Sequence, residues 1–491
     1  MSGGRILQIT APPAAQAQDS AATDCREIKR YLPWLVALAL FMEQIDATIL
    51  NTAVPSISAS LGVSPLSLKT ILTSYTLSLA VCIPISGWIA DHFGTRRVFC
   101  AAILIFTGAS ALCGFSSDVP TIIGGRMLQG VGAAMMTPVG RVAVVRTFEK
   151  SELLRAMNFV VVPSLVGPLL GPAAGGLIVD WFSWREIFFV NIPAGAAALW
   201  LLWRYMPDYY GSGRRPLDLV GFVLFGAGAA FLSFAFHISD IGDDRFLSSI
   251  LIGLITISLF GGYVVYEGRA LHPLLNFSLF RVRTFRVSVL GGFFTRLCIG
   301  ALPFLTPLIY QLGLGLPAWQ SGLLTVPAVV ASMAMKFVST RLLRKFGYRI
   351  VLSANTIIIG VMLLLYSVAT PQTPVAYLML VSIGLGFFNS LQFTGMYSIA
   401  FADIRSQDLS MASTISSSFF QMSLTFGVAC VSMMLNAFLG DLPQSDRSAF
   451  MSAINHTCVV LGAITMLSSI SFWTLRAEDG ECISGKQASG S

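Results

Sequence analysis

Long apolar runs dominate this chain and limit what it can fold into. A helix needs about 20 predominantly apolar residues to cross the hydrocarbon core of a bilayer. Fourteen such runs can be marked in the sequence. Only 11% of the 491 residues are charged, whereas a soluble domain carries about 25%. The sequence therefore predicts an all-α membrane protein. Its predicted spans are 32–53, 70–90, 97–116, 120–142, 157–179, 185–206, 217–237, 247–266, 286–310, 319–340, 350–369, 375–399, 411–438 and 453–475.

Lys and Arg residues are divided unevenly between the loops on the two sides of these spans. The tails and loops of one side hold 24 of the 31 basic residues, whereas the other side holds only Lys69, Arg185, Arg245 and Arg447. An excess of Lys and Arg marks the cytoplasmic side of a membrane protein. We therefore expect both termini in the cytoplasm. The net charge of +7 is then explained by topology, and we expect no binding of nucleic acid.

An internal repeat indicates how the spans are grouped. The segment DHFGTRRVF at 91–99 resembles RKFGYRIVL at 344–352, an offset of 253 residues. Six helices occupy only about 175 residues here, so two further helices, near 217–237 and 247–266, would separate two parallel six-helix repeats. The predicted units are a cytoplasmic tail at 1–30, a bundle at 31–206, two extra helices with loops at 207–284, a bundle at 285–475 and a tail at 476–491. We expect the first tail to be unstructured and the two extra helices to be peripheral.

Charged residues inside spans are costly in lipid and usually mark function. Glu43 and Asp46 lie three residues apart, on one face of the first predicted helix. Arg126 of the fourth helix lies at the same depth as Asp46 to within roughly 3 Å, from the helical rise per residue. We expect Asp46 or Glu43 to carry a proton, with Arg126 as its electrostatic partner. A purely structural ion pair between the two helices is the alternative.

The second repeat carries a basic residue where the first carries an acid. The offset of 253 residues maps Arg296 onto Glu43, so the two would face each other across a central cavity. Asn389, Gln392 and Gln421 are polar candidates for lining that cavity. A net negative cavity would suit lipophilic cations, whereas a direct role for Arg296 would suit an anion or a metal chelate. The sequence leaves this choice open.

One span contains many residues that weaken helices, in the run VGPLLGPAAGG at 166–176. Prolines bend a helix by removing backbone donors, and glycines at every fourth position form a smooth face for close packing in lipid. The run therefore predicts a bent helix that presses tightly against a neighbour. Its residues of interest are Gly167, Pro168, Gly171, Pro172, Gly175 and Gly176.

Five motifs in order along the chain resemble those of the major facilitator superfamily, specifically its branch of 14-span drug:proton antiporters (DHA2-type). They are DATILNTAVPSI (46–57), GWIADHFGTRR (87–97), GRMLQGVGAAM (125–135), VGPLLGPAAGG (166–176) and WREIFFVNIPAG (184–195). The similarity runs from about 31 to 475, and the segment 301–327 resembles bacterial multidrug resistance proteins. The chain departs from the pattern at Arg344, which aligns with Asp91, and at Glu43, where the family has an uncharged polar residue.

The resemblance implies two six-helix bundles with two inserted helices, and a proton-coupled exporter that works by alternating access. It implies that the glycine face of helix 5 meets the other bundle and closes the path in one state. It also implies a latch at the cytoplasmic side, in which Asp91 caps helix 13 near Met411 and Arg96 pairs with Asp91 or another acid. The latch residues would be Gly87, Asp91, Gly94, Arg96 and Arg97.

The implied partners are small-molecule substrates, protons and the lipid bilayer of a bacterial inner (plasma) membrane. We expect a monomer, and the sequence leaves open whether a periplasmic adaptor binds. The histidines and cysteines show no ligand spacing, so we expect no metal site, no enzyme activity and no cofactor, with the proton gradient as the energy source. An exporter of anionic metabolites or metal chelates, and a transporter-like sensor without flux, are the alternative functions.

Overall fold

The computed structural model describes residues 14–211, 216–235, 245–270, 273–405, 408–440, 442, 446–476 and 478–479, and these form helices and loops without strands. Eleven of the described helices are long and apolar enough to cross a membrane. Two more, at Leu219–Ala235 and Arg245–Glu267, contain shorter apolar stretches. The helices are α1 (Ala14–Leu61), α2 (Lys69–Phe93), α3 (Thr95–Gly114), α4 (Val119–Thr147), α5 (Lys150–Trp181), α6 (Glu186–Tyr205), α7 (Leu219–Ala235), α8 (Arg245–Glu267), α9 (Arg283–Gly313), α10 (Ala318–Phe346), α11 (Tyr348–Tyr366), α12 (Val375–Ala400), α13 (Leu409–Leu439) and α14 (Arg447–Trp473).

The first helix begins earlier than the sequence predicts. An unstructured tail was expected through residue 30, but α1 already begins at Ala14. Near the predicted membrane boundary, the Lys29 ammonium forms an ion pair with the Glu152 carboxylate of α5 at 2.6 Å. Exposed pairs of this kind contribute at most about 1 kcal/mol. Residues 1–13 lie outside the described part of the chain.

The backbone has the same conformation at two equivalent glycines of the internal repeat, which confirms the repeat. Gly94 joins α2 to α3 with φ 88° and ψ 145°, and Gly347 joins α10 to α11 with φ 77° and ψ 159°. Both φ values lie in a region that side chains disfavour. These two positions are separated by the offset of 253 residues found in the sequence, so the same sharp connection is built twice.

The two bundles meet along two pairs of helices. In the first bundle, α1 packs extensively on α5, and α4 packs on both α2 and α3. Between the bundles, α5 packs on α10 and α2 packs on α13. We call this line of contact between the bundles the seam. Helices α7 and α8 pack on each other, and α7 contacts α2 and α13 beside the seam. This agrees with the expectation of a peripheral pair of inserted helices.

The apolar core differs between the two ends of the molecule. We call the end with the loop of Arg96 and Arg97 the basic end, and the other the opposite end. Towards the opposite end, one cluster of buried side chains contains residues of both bundles, such as Ile49 of α1 and Leu305 of α9. Two further clusters are confined to single bundles and extend towards the basic end. The first bundle therefore shares a core with the second at the opposite end and has a core of its own towards the basic end.

Candidate functional site

A buried ion pair joins α1 to α4. The Asp46 carboxylate accepts a hydrogen bond from Nη1 of Arg126 at 2.5 Å, and each side chain is only 1% exposed. The contact confirms the prediction that these two groups lie at equal depth. Two opposite charges this deeply buried need additional hydrogen bonds to offset the cost of their desolvation.

Neutral polar side chains provide those hydrogen bonds. Asp46 Oδ1 accepts from Asn191 Nδ2 at 2.8 Å and from Gln129 Nε2 at 3.2 Å. Arg126 Nη1 donates to Gln129 Oε1 at 2.8 Å, and both amides also donate to the Ser110 hydroxyl. We call Asp46, Arg126, Gln129, Asn191 and Ser110 the paired charge cluster. It connects α1, α3, α4 and α6 inside the first bundle.

An aromatic ring completes the surroundings of Arg126. Its guanidinium carbon lies 4.2 Å from the ring centroid of Tyr75 on α2, within the range of a cation–π interaction. Sequence reasoning missed this contact and the three neutral members of the cluster. Two signals were available: Gln129 follows Arg126 by three residues, which places both on one helix face, and Asn191 lies in the quoted motif WREIFFVNIPAG.

Glu43 has surroundings different from those of Asp46. It is 5% exposed and accepts a hydrogen bond from the Thr137 hydroxyl at 2.7 Å. Among the described residues, no basic group lies within ion-pair distance of it. The first bundle therefore holds two buried carboxylates, of which one is fully paired and the other has a neutral partner.

Arg296 is buried on α9 without a matching acid. The side chain is 3% exposed, and its Nε and Nη1 atoms have no hydrogen-bond partner among the described residues. In this conformation it forms no ion pair with Glu43, the residue at the equivalent place in the first repeat. The expected position in the cavity wall is also not observed, because the lining comes from the next turns of α9, at Ile299, Gly300 and Pro303.

A central cavity of about 430 Å³ lies between the bundles. Its wall is mostly apolar and contains no charged side chain among the described residues. The first bundle contributes Thr48 and Asn51 of α1 with Pro168 and Pro172 of α5, and the second bundle contributes the rest, from α9 to α13. Asn389 lines the cavity as predicted, and within the described part of the chain its Oδ1 atom has no hydrogen-bond partner.

Two other polar candidates do not line the cavity. Gln392 is fully buried because its amide is held by α11: it accepts from Asn355 Nδ2 and donates to the Thr356 hydroxyl, both at 2.8 Å. Gln421 is not among the lining residues, although its neighbours on α13, Phe420 and Leu424, are. The predictions for Gln392 and Gln421 are therefore wrong for this conformation.

The glycine face of α5 meets a different neighbour from the one expected. A Cβ atom on Gly167 would lie 2.7 Å from Gln44 Cβ, and one on Gly175 would lie 2.5 Å from the Ile49 carbonyl; Gly171 similarly approaches Thr48. This face therefore packs on α1 in the same bundle, which contradicts the prediction that it meets the other bundle.

The adjacent face of α5 makes the contact between bundles. Gly176 lies against the backbone of Ala318 and Trp319 on α10, and the Pro172 carbonyl lies against Gly322 of the same helix. Because successive residues of a helix are turned by about 100°, Gly175 and Gly176 can face different neighbours. The motif thus serves two contacts, one within its bundle and one across the seam.

The predicted latch is not engaged in this conformation. Asp91 forms an ion pair with Arg146 of its own bundle at 3.3 Å. Arg96 does not pair with Asp91 but donates to the Trp203 carbonyl, at 2.5 Å. The first turn of α13, preceded by Asp408, has no side-chain cap. These contacts correct the predicted pairing, and the reason is that the two bundles have separate cores towards this end.

Three other residues of the same loop have simpler surroundings. A side chain on Gly94 would collide with Asp208 and Tyr210, so its small size is needed as well as its positive φ. Arg97 is exposed, and a Cβ atom on Gly87 would meet open space. No close approach therefore explains the glycine at position 87.

The molecule has two helical bundles that share a core at one end, flank a cavity and bury charges within their helices. These features are typical of a secondary transporter of the alternating-access type. The chain belongs to the Major Facilitator Superfamily, whose model matches residues 36–427. It is a multi-pass membrane protein, and transporters of this family act on small molecules rather than as enzymes.

Curated relatives cover almost the whole chain. It is 36% identical over 452 residues to the "Putative multidrug resistance protein MdtD" of Salmonella heidelberg, covering 92% of this chain and 96% of that protein. The proteins of the same name from Serratia proteamaculans (35% identical, 91% and 93% covered) and Escherichia coli O157:H7 (36% identical, 92% and 95% covered) are similar.

Solved structures share the fold at low sequence identity. The POT family transporter PepTSo has a TM-score of 0.66 at 16% identity, covering 91% of this chain and 99% of that chain. An inward-facing, occupied bacterial homolog of the human lysosomal transporter Spinster has a TM-score of 0.63 at 14% identity, with 90% and 96% covered. A D-xylose-proton symporter has a TM-score of 0.65 at 13% identity, with 92% and 98% covered. These similarities establish the fold alone.

Proposed function

We propose that this chain is a proton-coupled multidrug exporter with fourteen spans in a bacterial inner membrane, with both termini in the cytoplasm. It acts as a monomer by alternating access. The names of the curated relatives support the drug substrates, and the distribution of Lys and Arg supports the orientation. The observation that carries the proposal is Glu43, a buried carboxyl group in a membrane helix that has a neutral partner and forms no ion pair with any described residue.

Glu43, rather than Asp46, is the proton carrier in this proposal. Asp46 accepts hydrogen bonds from Arg126, Gln129 and Asn191, so a proton on its carboxylate would leave the buried Arg126 cation without its counterion. Glu43 accepts one hydrogen bond, from the Thr137 hydroxyl group, and this hydroxyl group can instead accept a hydrogen bond from a protonated carboxyl group. A change in its surroundings during the transport cycle can therefore change its protonation without leaving a buried cation unpaired.

The proposed transport cycle is based on the difference in packing between the two ends of the molecule. With separate cores towards the basic end, this conformation corresponds to one that takes up substrate from the cytoplasm into the apolar cavity. Rocking of the bundles then opens the opposite end, where substrate leaves and Glu43 is protonated from outside. Return to the first conformation brings the proton to the cytoplasmic side. Each cycle exchanges substrate for at least one proton.

Transport by inverted membrane vesicles tests this function. Wild-type vesicles with an imposed pH gradient should accumulate a lipophilic drug, and vesicles without the gradient should not. Glu43→Gln should abolish gradient-driven accumulation while retaining exchange of labelled for unlabelled drug. Asp118→Asn, which removes a carboxylate outside the cluster but keeps an oxygen that can cap α4, is the matched control and should behave as wild type. Equal accumulation with and without a gradient would show that transport is not coupled to protons.

The second candidate function is export of anionic metabolites or metal chelates. The observation that favours it is Arg296, whose buried Nε and Nη1 groups have no partner and could bind an anion. Its test is transport of a panel of anions and cations of similar size. Loss of anion flux in Arg296→Gln with unchanged cation flux would support this candidate, whereas unchanged anion flux would exclude a role for Arg296.

A further inference from the structure

Helix α10 receives its N-terminal cap from the other bundle. The helix begins at Ala318 after Pro317, whose side chain has no acceptor for the free N–H groups of the first turn. Asp180 of α5 fills this role, because its Oδ2 atom accepts a hydrogen bond from the Trp319 backbone N–H at 2.8 Å. A contact that would normally be local in the sequence therefore crosses the seam between the bundles.

Neighbouring helices at the same end have caps of their own. Asp118 accepts from the Thr121 N–H at 2.8 Å at the start of α4, and Asp446 accepts from the Ser448 N–H at 2.9 Å at the start of α14. These caps stay intact however the bundles move, since each lies within a single helix. The cap of α10 exists only while α5 and α10 are together at this end.

Two glycines allow α5 and α10 to come this close. Gly176 of α5 touches the backbone of α10 at Ala318, and Gly322 of α10 touches the Pro172 carbonyl of α5. Asp180 lies one turn beyond Gly176, so it reaches the first turn of α10 as a result of this contact. If the bundles separated here, the hydrogen bond and both close contacts would be lost together.

The stability of α5 itself does not explain an acid at this position. Asp180 lies in the last turn of α5, next to its end at Trp181. A negative charge is unfavourable near the C-terminus of its own helix and favourable near the N-terminus of another. Asp91 has the corresponding placement in the last turn of α2, and α2 packs on α13 as α5 packs on α10.

We propose that Asp180 is a positioning residue of the transport cycle, which stabilises the conformation closed at the opposite end by capping α10. The proposal rests on the alternating-access function given above. In it, Asp180 and Asp91 act in turn: Asp180 caps α10 when the opposite end is closed, and Asp91 caps α13 when the basic end is closed. The present conformation has the first cap and lacks the second.

Distance measurement between two spin labels tests this assignment. Ser117 and Gln372 are exposed at the opposite end, one on each bundle, and can be labelled after substitution by cysteine in a background without reactive native cysteines. Asp180→Ala should raise the ratio of long to short distances about threefold to tenfold, the effect expected of a lost helix cap. Asp180→Glu should restore part of the wild-type ratio.

Control variants separate this role from general stability. Asp446→Ala removes a cap at the start of α14 and should leave the distance ratio unchanged. Asp91→Asn should leave the ratio unchanged or lower it. Pro317→Ser would give α10 a cap of its own and should raise the ratio even with Asp180 present, which keeps the test valid if Asp180→Ala does not fold.

The result that would overturn the assignment is a wild-type ratio in both Asp180→Ala and Pro317→Ser, or an equal shift in Asp446→Ala. The distances are measured without substrate or a gradient. If the protein moves no proton but the variants show the expected shifts in distance, the proposed function is wrong and the role of Asp180 stands.

Discussion

The two bundles share a backbone plan but handle charge differently. The offset that pairs Gly94 with Gly347 also aligns Asp46 with Ile299 and Arg126 with Met379. The first bundle thus keeps an ion pair supported by several hydrogen bonds, although Arg126 Nε has no partner among the described residues. The second bundle has apolar residues at both places and, where the first has Glu43, carries Arg296, whose Nε and Nη1 atoms have no partner among the described residues. Most of the cavity wall belongs to the second bundle. In the proposed cycle, the first bundle therefore carries the proton and the second provides most of the substrate site.

The largest expected effect comes from breaking the ion pair. Arg126→Gln would leave Asp46 charged and buried without its cation, at a cost of about 3–5 kcal/mol in the free energy of unfolding. Thermal unfolding in detergent, followed by size-exclusion chromatography, measures the loss. The double variant with Asp46→Asn should recover most of it, because both charges are then absent. A single variant as stable as the double one would contradict the account of the cluster.

The next effect concerns the other carboxyl group of the first bundle. The rate of drug transport by the wild type should change with pH as Glu43 gains and loses its proton. In Glu43→Gln, gradient-driven transport should be lost, a fall of at least about a hundredfold for removal of a proton-transfer group, and exchange should become independent of pH. Initial rates measured across about pH 5.5–8.5, which lies within the range that buried carboxyl groups can reach, test this. A retained pH dependence would assign the proton to another group.

A smaller effect is expected from the uncharged network of the second bundle. Gln392→Leu removes the hydrogen bonds to Asn355 and Thr356, which should lower the free energy of unfolding by about 1 kcal/mol. The affinity for substrate should not change, because Gln392 does not line the cavity. Thermal unfolding and equilibrium binding in detergent test the two parts. A large loss of affinity with normal stability would place Gln392 in the substrate site after all.

The smallest expected effect on stability is no change or a slight gain, whereas the changes above lower it. Arg296→Met removes a buried charge without a partner and should leave stability unchanged or raise it, by less than about 1 kcal/mol. The matched change in the first bundle, Arg126→Met, should be strongly destabilising. Comparing the two unfolding temperatures under identical conditions gives the result. A destabilisation of similar size in both variants would show that Arg296 has a partner in the folded protein.

The sequence predicted depth in the membrane better than it predicted neighbours. Counting residues along two helices placed Asp46 and Arg126 at the same level, and the structure confirms their contact. The direction in which a side chain points depends on how each helix is rotated against its neighbours. The sequence of a single helix does not contain that information, and so Gln392 and Gln421 were assigned to the wrong surface.

For the glycine motif and for the latch, the sequence likewise did not predict the neighbours. Spacing identified a smooth face on α5 but could not say that α1, and not α10, would cover it. The latch prediction identified the loop but not its partners, since Asp91 is bound to Arg146 of its own bundle and not to α13. Gly322 and Asp180 were missed because their contacts form only when two helices distant in sequence are brought together.

Helix α5 touches both the seam and the helix of the buried acids. Gly167 lies against Gln44, between Glu43 and Asp46 in the chain, while Gly176, about two and a half turns further along the same helix, lies against α10. A close-packed helix transmits displacement with little slack. A movement that separates the two bundles at the opposite end must therefore also displace α1 beside Glu43. Opening of the transport path and the surroundings of the proposed proton carrier are thus mechanically coupled through one helix.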